Sequence, residues 1–301
     1  MATYYHTDGI CLRRLDYSNT SQVATFLTPD QGQVPFIAKG IYRAPKRGIR
    51  AGLDLAARYG LVYFKPRSGS LYNLTECSML DAFAGMRQSV QRIVCGYYAA
   101  ELMLNLTAES DPCRELYDVL VETLGRCARG EALGMSVLTL EIAALRHYGS
   151  CPTFNRCAEC DAPLRLTGRL LFSAAQGGPL CLACGRRLYR RPHPAAIPVR
   201  AERLGALASL AGNRGQGNRG NRGHNTDFSV ATRGTSAQPG KRNQYCVPDF
   251  PMDPDEIVAA SRLVRFHMRY LLGKELRMWK YLHGRHLSRT LRTIRRSAGL
   301  A

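Results

Sequence analysis

The sequence predicts an α+β protein from three observations. Five short β-patterned segments crowd the first 80 residues, the apolar period turns helical from Asp81, and four cysteines stand as two Cys-x-x-Cys pairs. Taken in order, these give an N-terminal five-stranded OB-type barrel over 1–80, followed by an α-helical domain over 81–150 and 190–283. A four-cysteine zinc-knuckle module over 151–189 is inserted into that domain. A disordered Arg/Gly-rich insertion at 211–244 and a basic tail at 284–301 complete the expected organisation.

Thr7 to Arg14 and Gln22 to Thr28 form the first two strands, joined through the turn chemistry of Tyr17-Ser18-Asn19-Thr20. Thr28-Pro29-Asp30-Gln31-Gly32 is the next turn, with Pro29 setting the backbone angle at its first central position. In the third strand, Gln33 to Lys39, Val34, Phe36 and Ala38 share one face while Ile37 and Lys39 take the other. Leu61 to Lys65 and Leu71 to Glu76 complete the set around the turn Arg67-Ser68-Gly69-Ser70. Five short strands with a longer connection after the third is the OB pattern; a five-stranded sandwich fragment is the alternative.

Asp81 caps a predicted helix to about Leu106, with Phe83, Met86, Val90, Ile93, Val94, Tyr97 and Leu104 near a 3.6-residue period. A second helix runs from about Pro112 to Cys127 after a cap at Asp111, and a third from Gly134 to Tyr148. Asp253-Pro254-Asp255-Glu256 is a strong start signal, combining a cap, a proline in the first turn and a glutamate at the third helical position. The helix it opens runs through Leu263, Phe266 and Tyr270 to a stop at Gly273. Ala211 to Gln244 breaks all periodicity and repeats Asn-Arg-Gly at Asn213, Asn218 and Asn221, the composition of a disordered, passive linker. In the tail, Leu287, Leu291 and Ile294 share one face amid Arg289, Arg292, Arg295 and Arg296.

The spacing Cys157-x2-Cys160-x20-Cys181-x2-Cys184 supplies four thiolates to one tetrahedral ion. An all-cysteine set leaves no position for a reactive water, so a zinc ion here is structural. Gly177-Gly178-Pro179 before one pair and Asp161-Ala162-Pro163 after the other turn the backbone sharply, and Leu164 to Phe172 alternates well enough to form a strand between the knuckles. The other seven cysteines follow no framework, and the first residues, Met1 to His6, show no apolar leader; both facts suit a reducing cytoplasm. The most apolar stretch, Leu133 to Leu145, is interrupted by Glu141, so no membrane span is expected.

The formal net charge of +19 favours a polyanionic partner, because each phosphate contact releases condensed counterions. Residues 1–80 carry ten Lys+Arg against five acids, residues 254–301 carry eleven against three, and Arg186, Arg187, Arg190, Arg191, Arg200 and Arg203 lie between. Charge spread over every segment suits a long nucleic-acid backbone better than one lipid-facing patch. Arg13, Arg14, Lys39, Arg43, Lys46, Arg47 and Arg50 fall on the end of the first strand and the loop after the third, so a barrel gathers them at one rim as the DNA-binding set. Tyr17, Tyr42, Tyr63 and Tyr72 interleave with them as candidates for stacking on bases. Enzyme chemistry is not expected: the acids, among them Glu101, Glu109 and Glu115, are not clustered for Mg2+, and there is no G-x4-G-K-[ST] phosphate loop. His147 and His193 have no partner nucleophile. A zinc-ribbon transcription or ribosome-associated factor is the alternative nucleic-acid binder.

The run Gly9 to Ser21, then Val23 to Gly32, then Ala38-Lys39-Gly40, resembles the start of the RecO DNA repair proteins. It shows a strand, an acidic-aromatic turn with small polar residues, a strand ending in Leu-Thr, a Gly turn and a strand ending in Lys-Gly. The quartet from Cys157 to Cys184 lies where many members carry a zinc knuckle, and Tyr270-Leu271-Leu272-Gly273-Lys274-Glu275-Leu276 is similar to the close of their helical domain. The resemblance implies a recombination mediator that binds single- and double-stranded DNA and anneals complementary strands. It further implies loading of the recombinase onto DNA coated by single-stranded-DNA-binding protein, with a RecR-type ring protein and the acidic tail of the single-stranded-DNA-binding protein as partners, in a cytoplasmic, nucleoid-associated setting.

Overall fold

The computed structural model describes residues 3–42, 52–66, 69, 71–212 and 252–282. The insertion beyond Gly212 and the tail after Leu282 therefore lie outside the described residues.

Five strands, β1 (Tyr4–Ser18), β2 (Ser21–Thr28), β3 (Gly32–Ala38), β4 (Arg58–Phe64) and β5 (Tyr72–Asp81), close a barrel in the order β1-β2-β3-β5-β4. The expected five-stranded barrel is present. The long β1 closes it by pairing with β4 from Tyr4 to Ile10 and with β2 from Ile10 to Ser18, while β3 and β5 meet in a short parallel rung at Phe36 and Tyr72. Strict alternation fills the interior: Phe26, Val34, Phe36, Tyr59, Leu61 and Tyr63 all point inward. Alternation along β1 sends Cys11 into the barrel core and Ile10 and Leu12 into the helical core, and the pairing with β2 shifts register between Cys11 and Arg13.

The helical body comprises α1 (Val90–Leu106), α2 (Arg114–Arg129), α3 (Leu133–His147), α5 (Glu202–Leu210), α6 (Pro254–Leu272) and the short α7 (Trp279–Leu282). Every residue of α3 from Met135 to Leu145 is buried, which makes it the central helix. The start signal at Asp253 works as the sequence predicts: its carboxylate accepts the Asp255 N–H at 3.2 Å, and Gly273 ends α6 in the left-handed region. The β2–β3 turn docks on the α1–α2 loop, where Gln33 Nε2 donates to the Leu104 and Thr107 carbonyls at the open end of α1. Gly32 permits that approach, because a Cβ there would lie 2.4 Å from the Ala108 carbonyl oxygen.

Two helix starts differ from expectation. Asp81 ends β5 and accepts the Phe83 N–H; a 3-10 turn over Ala84–Gln88 intervenes, and Ser89 caps α1. The cause is tertiary: Gly85 is pressed so closely on the Ala128 carbonyl that a Cβ would clash. Asp111 does not cap α2 either. It accepts the Tyr148 hydroxyl at 3.1 Å, and the helix begins two residues after Pro112.

A second sheet, ordered β7-β6-β8, unites β6 (Arg169–Ser173), β7 (Gly178–Leu180) and β8 (Ala196–Arg200), with α4 (Leu182–Leu188) beside it. The strand expected from Leu164 begins only at Arg169, after Gly168 turns in the left-handed region. Phe172 of this sheet packs edge-on against Phe266 and His267 of α6. His267 is 2% exposed; burial pushes its pKa below the ordinary imidazole value, and the Ser150 carbonyl, 2.9 Å from Nε2, offsets only part of that. A depressed folded-state pKa means that the unfolded chain binds the proton more readily, so this contribution to stability is complete above pH ~6.5 and lost as pH falls below it. Thermal unfolding between pH 8 and 5 should therefore show a decline that His267→Gln removes. An identical pH slope in wild type and variant would reject the assignment.

Candidate metal centre and nucleic-acid interface

The four predicted cysteines meet: the Sγ atoms of Cys157, Cys160, Cys181 and Cys184 all lie within 4.8 Å of one another, with Cys160 and Cys181 at 3.9 Å. Sulfurs bound ~2.3 Å from a tetrahedral ion stand about 3.8 Å apart, so the set can hold a thiolate-preferring metal ion with little movement. The first pair sits in a turn closed by Cys157 N–H to the Ala162 carbonyl and Asp161 N–H to the Cys157 carbonyl. Arg156 clasps the turn through a two-pronged ion pair with Asp161 at 2.7 and 2.8 Å. The second pair lies on α4, where Cys181 is the N-cap and its sulfur accepts the Cys184 N–H.

The two knuckles are also joined by direct contacts between them. Ala158 N–H donates to the Pro179 carbonyl at 2.8 Å, and Arg187 of α4 pairs with Glu159 at 2.7 Å. Gly178 is obligatory here, since a Cβ would lie 2.7 Å from Thr153 Oγ1 and 3.1 Å from Ala158 Cβ. Burial opposes ionisation of Cys157, but the N–H groups of Cys181, Cys160 and Glu159 directed at its sulfur outweigh burial and bring the thiol down to about 6. Cys184 shifts upward, chiefly because its thiol is hydrogen-bonded to Cys181. Cys157 is thus disposed toward the thiolate, the form a soft metal ion binds.

At the barrel, Arg13 and Arg14 are exposed on β1 opposite Thr25 and Ala24, and Lys39 is exposed just past the end of β3. Arg43, Lys46, Arg47 and Arg50 lie outside the described residues. Both ends of their segment are fixed by Gln22, which is 1% exposed. Its Oε1 accepts the Leu53 N–H at 2.9 Å, and its Nε2 donates to the Tyr42 hydroxyl and to Asp16. Arg14 donates to the Leu53 carbonyl. Tyr42 and Leu53, on either side of that segment, are therefore both held at Gln22. Of the tyrosines expected to stack on bases, Tyr17 is 69% exposed and Tyr42 41%, whereas Tyr63 is 2% exposed and belongs to the barrel core. Tyr72 packs edge-on against Phe36 and Tyr63.

A second cationic feature unites segments far apart in the chain. Arg169 of β6, Arg200 of β8, Arg203 of α5 and Arg262 of α6 line one cleft of about 570 Å³, floored by Ile197, Val199, Val258 and Leu263. Arg169 and Arg200 are direct cross-strand partners, a placement of like charges that costs the sheet some stability. Among the described residues, none of the four makes an ion pair; Asp255 lines the cleft, and Glu202, near Arg200 and Arg203, accepts the Gly168 N–H.

Comparison with known proteins decides the family. The profile described as Recombination protein O N terminal matches residues 1–83, and Recombination protein O C terminal matches residues 87–214. A DNA repair protein RecO of Anaeromyxobacter dehalogenans is 34% identical over 204 residues, covering 66% of this chain and 76% of that relative. The chain belongs to the RecO family. The RecO proteins of Myxococcus xanthus, 32% identical over 196 residues, and Rhodopirellula baltica, 33% over 178, cover 65% and 58% of it and are themselves covered to 77% and 65%. Relative to this RecO frame, sequence reasoning missed Gln22 and the arginine cleft. Alternation along β2 placed Gln22 facing in, a signal for a buried amide that must find partners; no local pattern joins Arg169 to Arg262.

Proposed function

We propose that this RecO-family protein acts in DNA repair as a recombination mediator: it binds single- and double-stranded DNA, anneals complementary strands and helps load the recombinase onto DNA coated by single-stranded-DNA-binding protein. The observation that carries the reading is family membership joined to basic side chains gathered at two places, Arg13, Arg14 and Lys39 exposed on the barrel and the four arginines that line the cleft. Arg13, Arg14, Lys39, Arg43, Lys46, Arg47 and Arg50 form the rim contact, and Arg169, Arg200, Arg203 and Arg262 continue the phosphate track. Annealing needs only charge neutralisation and open bases, which suits a site without a nucleotide cradle. Cys157, Cys160, Cys181 and Cys184 hold a structural zinc ion that fixes the sheet carrying Arg169 and Arg200. The partners are a RecR-type ring protein and the acidic tail of the single-stranded-DNA-binding protein, met in the cytoplasm.

An annealing assay with complementary oligonucleotides, with and without the cognate single-stranded-DNA-binding protein, tests the reading; failure in both formats overturns it. Each phosphate contact to a single strand contributes about −0.7 to the slope of log affinity against log salt. Reversing Arg43, Lys46, Arg47 and Arg50 to glutamate should abolish single-strand binding with the fold intact. Reversing only Arg200 and Arg203 should flatten the slope by roughly 1.4 while leaving the rim contact. Equal slopes in that variant and the wild type would remove the cleft from the track.

A further inference from the structure

The barrel carries a second aromatic surface, at the end of β1 away from Arg13 and Arg14. Tyr4 and Tyr5 open β1, and the register sets them beside Phe64 and Tyr63 at the close of β4. Tyr63 is buried, but Tyr4 is 55% exposed and Tyr5 40%. Strand residues advance ~3.3 Å each, so this surface lies far along β1 from the basic rim.

The exposed rings are braced from behind. Tyr5 stacks on Tyr63 with centroids 5.4 Å apart and planes 23° from parallel, and Tyr4 meets Phe64 edge-on at 5.7 Å. Tyr63 in turn packs edge-on against Phe36 at 4.9 Å and against Tyr72 at 5.5 Å, which ties the exposed pair to the barrel core. Rings held in this way lose little rotamer freedom when a ligand binds. Lys65, next after Phe64, holds its ammonium 5.9 Å from the Tyr72 ring centroid, so a cation stands beside the rings.

That combination selects among ligands. An unpaired nucleotide offers a base to a ring face and a phosphate to the lysine, whereas bases within a duplex are already stacked on one another. Glu76 lies across from Val62, on the face that Phe64 shares, and disfavours an acidic peptide. We infer that Tyr4 and Tyr5 form a stacking platform for the unpaired bases of a single strand, with Lys65 at the adjoining phosphate. The inference rests on the single-strand binding proposed above and adds a site to it. Stacking occupies the flat faces of the bases and leaves their pairing edges open, which is the state that annealing requires. Ring faces outnumber charges here, so the contribution is nearly independent of salt, unlike that of the rim.

The test compares binding of full-length, metal-loaded protein to an oligothymidylate and to an abasic strand of the same length, across a range of salt. Wild type should prefer the base-bearing strand. Tyr4→Ala combined with Tyr5→Ala should cut that preference roughly 25-fold, at about fivefold for each ring, with the salt slope unchanged. Tyr4→Phe combined with Tyr5→Phe should keep the preference, because the ring and not the hydroxyl stacks. Irradiation of wild type on a strand carrying 5-iododeoxyuridine gives a reading free of any folding defect, with crosslinks expected at Tyr4 or Tyr5. An alanine variant that keeps the preference, a phenylalanine variant that loses it, or crosslinks confined to other peptides overturns the inference while single-strand binding stands. Absence of wild-type binding to either strand overturns the proposed function as well.

Discussion

Replacing Cys157 with serine is expected to give a protein that no longer retains a stoichiometric metal ion and unfolds in its second sheet well before its barrel. Backbone N–H groups favour the Cys157 thiolate, and its sulfur accepts the Cys181 N–H at 3.3 Å, so it is both a ligand and part of the scaffold. A serine hydroxyl keeps the hydrogen bond in part but is a poor soft-metal ligand. Structural zinc supplies about 10–16 kcal/mol where it provides nearly all the folding energy of a small domain. Here Leu180, Leu164, Leu171 and Leu188 already pack around the site and the sheet leans on α6 through Phe172, so a smaller loss of ~3 kcal/mol or more is expected. The barrel has its own apolar core and should be spared. Metal analysis and thermal unfolding would show about one ion per wild-type chain, a marked deficit in the variant and an early transition in it. DNA binding should lose only the salt dependence carried by Arg169 and Arg200. Full metal content with an unchanged unfolding profile would show that the quartet is not a metal site.

What the sequence makes legible is what local chemistry decides. The barrel strands declare themselves through alternation and turn residues, α6 through Asp253 and Pro254, and the quartet through spacing alone, because each depends on contacts within a few residues. The helix start at Asp81 misleads because Phe83, Met86 and Val90 keep a helical period while Gly85 is committed to a contact with Ala128, more than forty residues on. Tyr63 was readable as core: it shares parity with Tyr59 and Leu61 on β4, and all three are buried. The arginine cleft was not readable, since its members come together only through the β6–β8 register and the lie of α6 across that sheet.

Replacing Glu141 with alanine should produce the largest loss of stability available from a single polar side chain in this protein. Glu141 stands at the centre of the central helix and is 0% exposed. Its Oε1 takes Arg265 Nε at 2.6 Å and the Tyr98 hydroxyl at 2.6 Å, while Trp279 Nε1 donates to the Tyr98 oxygen at 3.0 Å. Burial, then the charge of Glu141, hold the Tyr98 pKa well above its ordinary value, so the phenol remains a donor. One carboxylate thus fastens α1, α6 and α7 to α3. Without it, the Arg265 guanidinium, whose side chain is 10% exposed, keeps its charge in an apolar setting, and removing one partner of such a pair costs about 3–5 kcal/mol. The penalty comes from a buried guanidinium that loses its carboxylate counter-charge, although its contact with the Tyr98 ring at 5.2 Å remains. It follows that Glu141→Leu combined with Arg265→Met should recover most of the loss, because a well-packed apolar pair avoids both desolvation costs. Chemical denaturation of the two single variants and the double gives the cycle. Trp279, the only tryptophan, supplies a local reading: its emission should shift in Glu141→Ala as the Tyr98 hydroxyl loses its acceptor. A loss below ~1 kcal/mol in Glu141→Ala, or a double variant as unstable as the single, would mean that Arg265 finds solvent or another anion when its carboxylate is gone. α6 would then be held to α3 by apolar packing alone, and Arg262 would keep its place in the cleft without the buried ion pair.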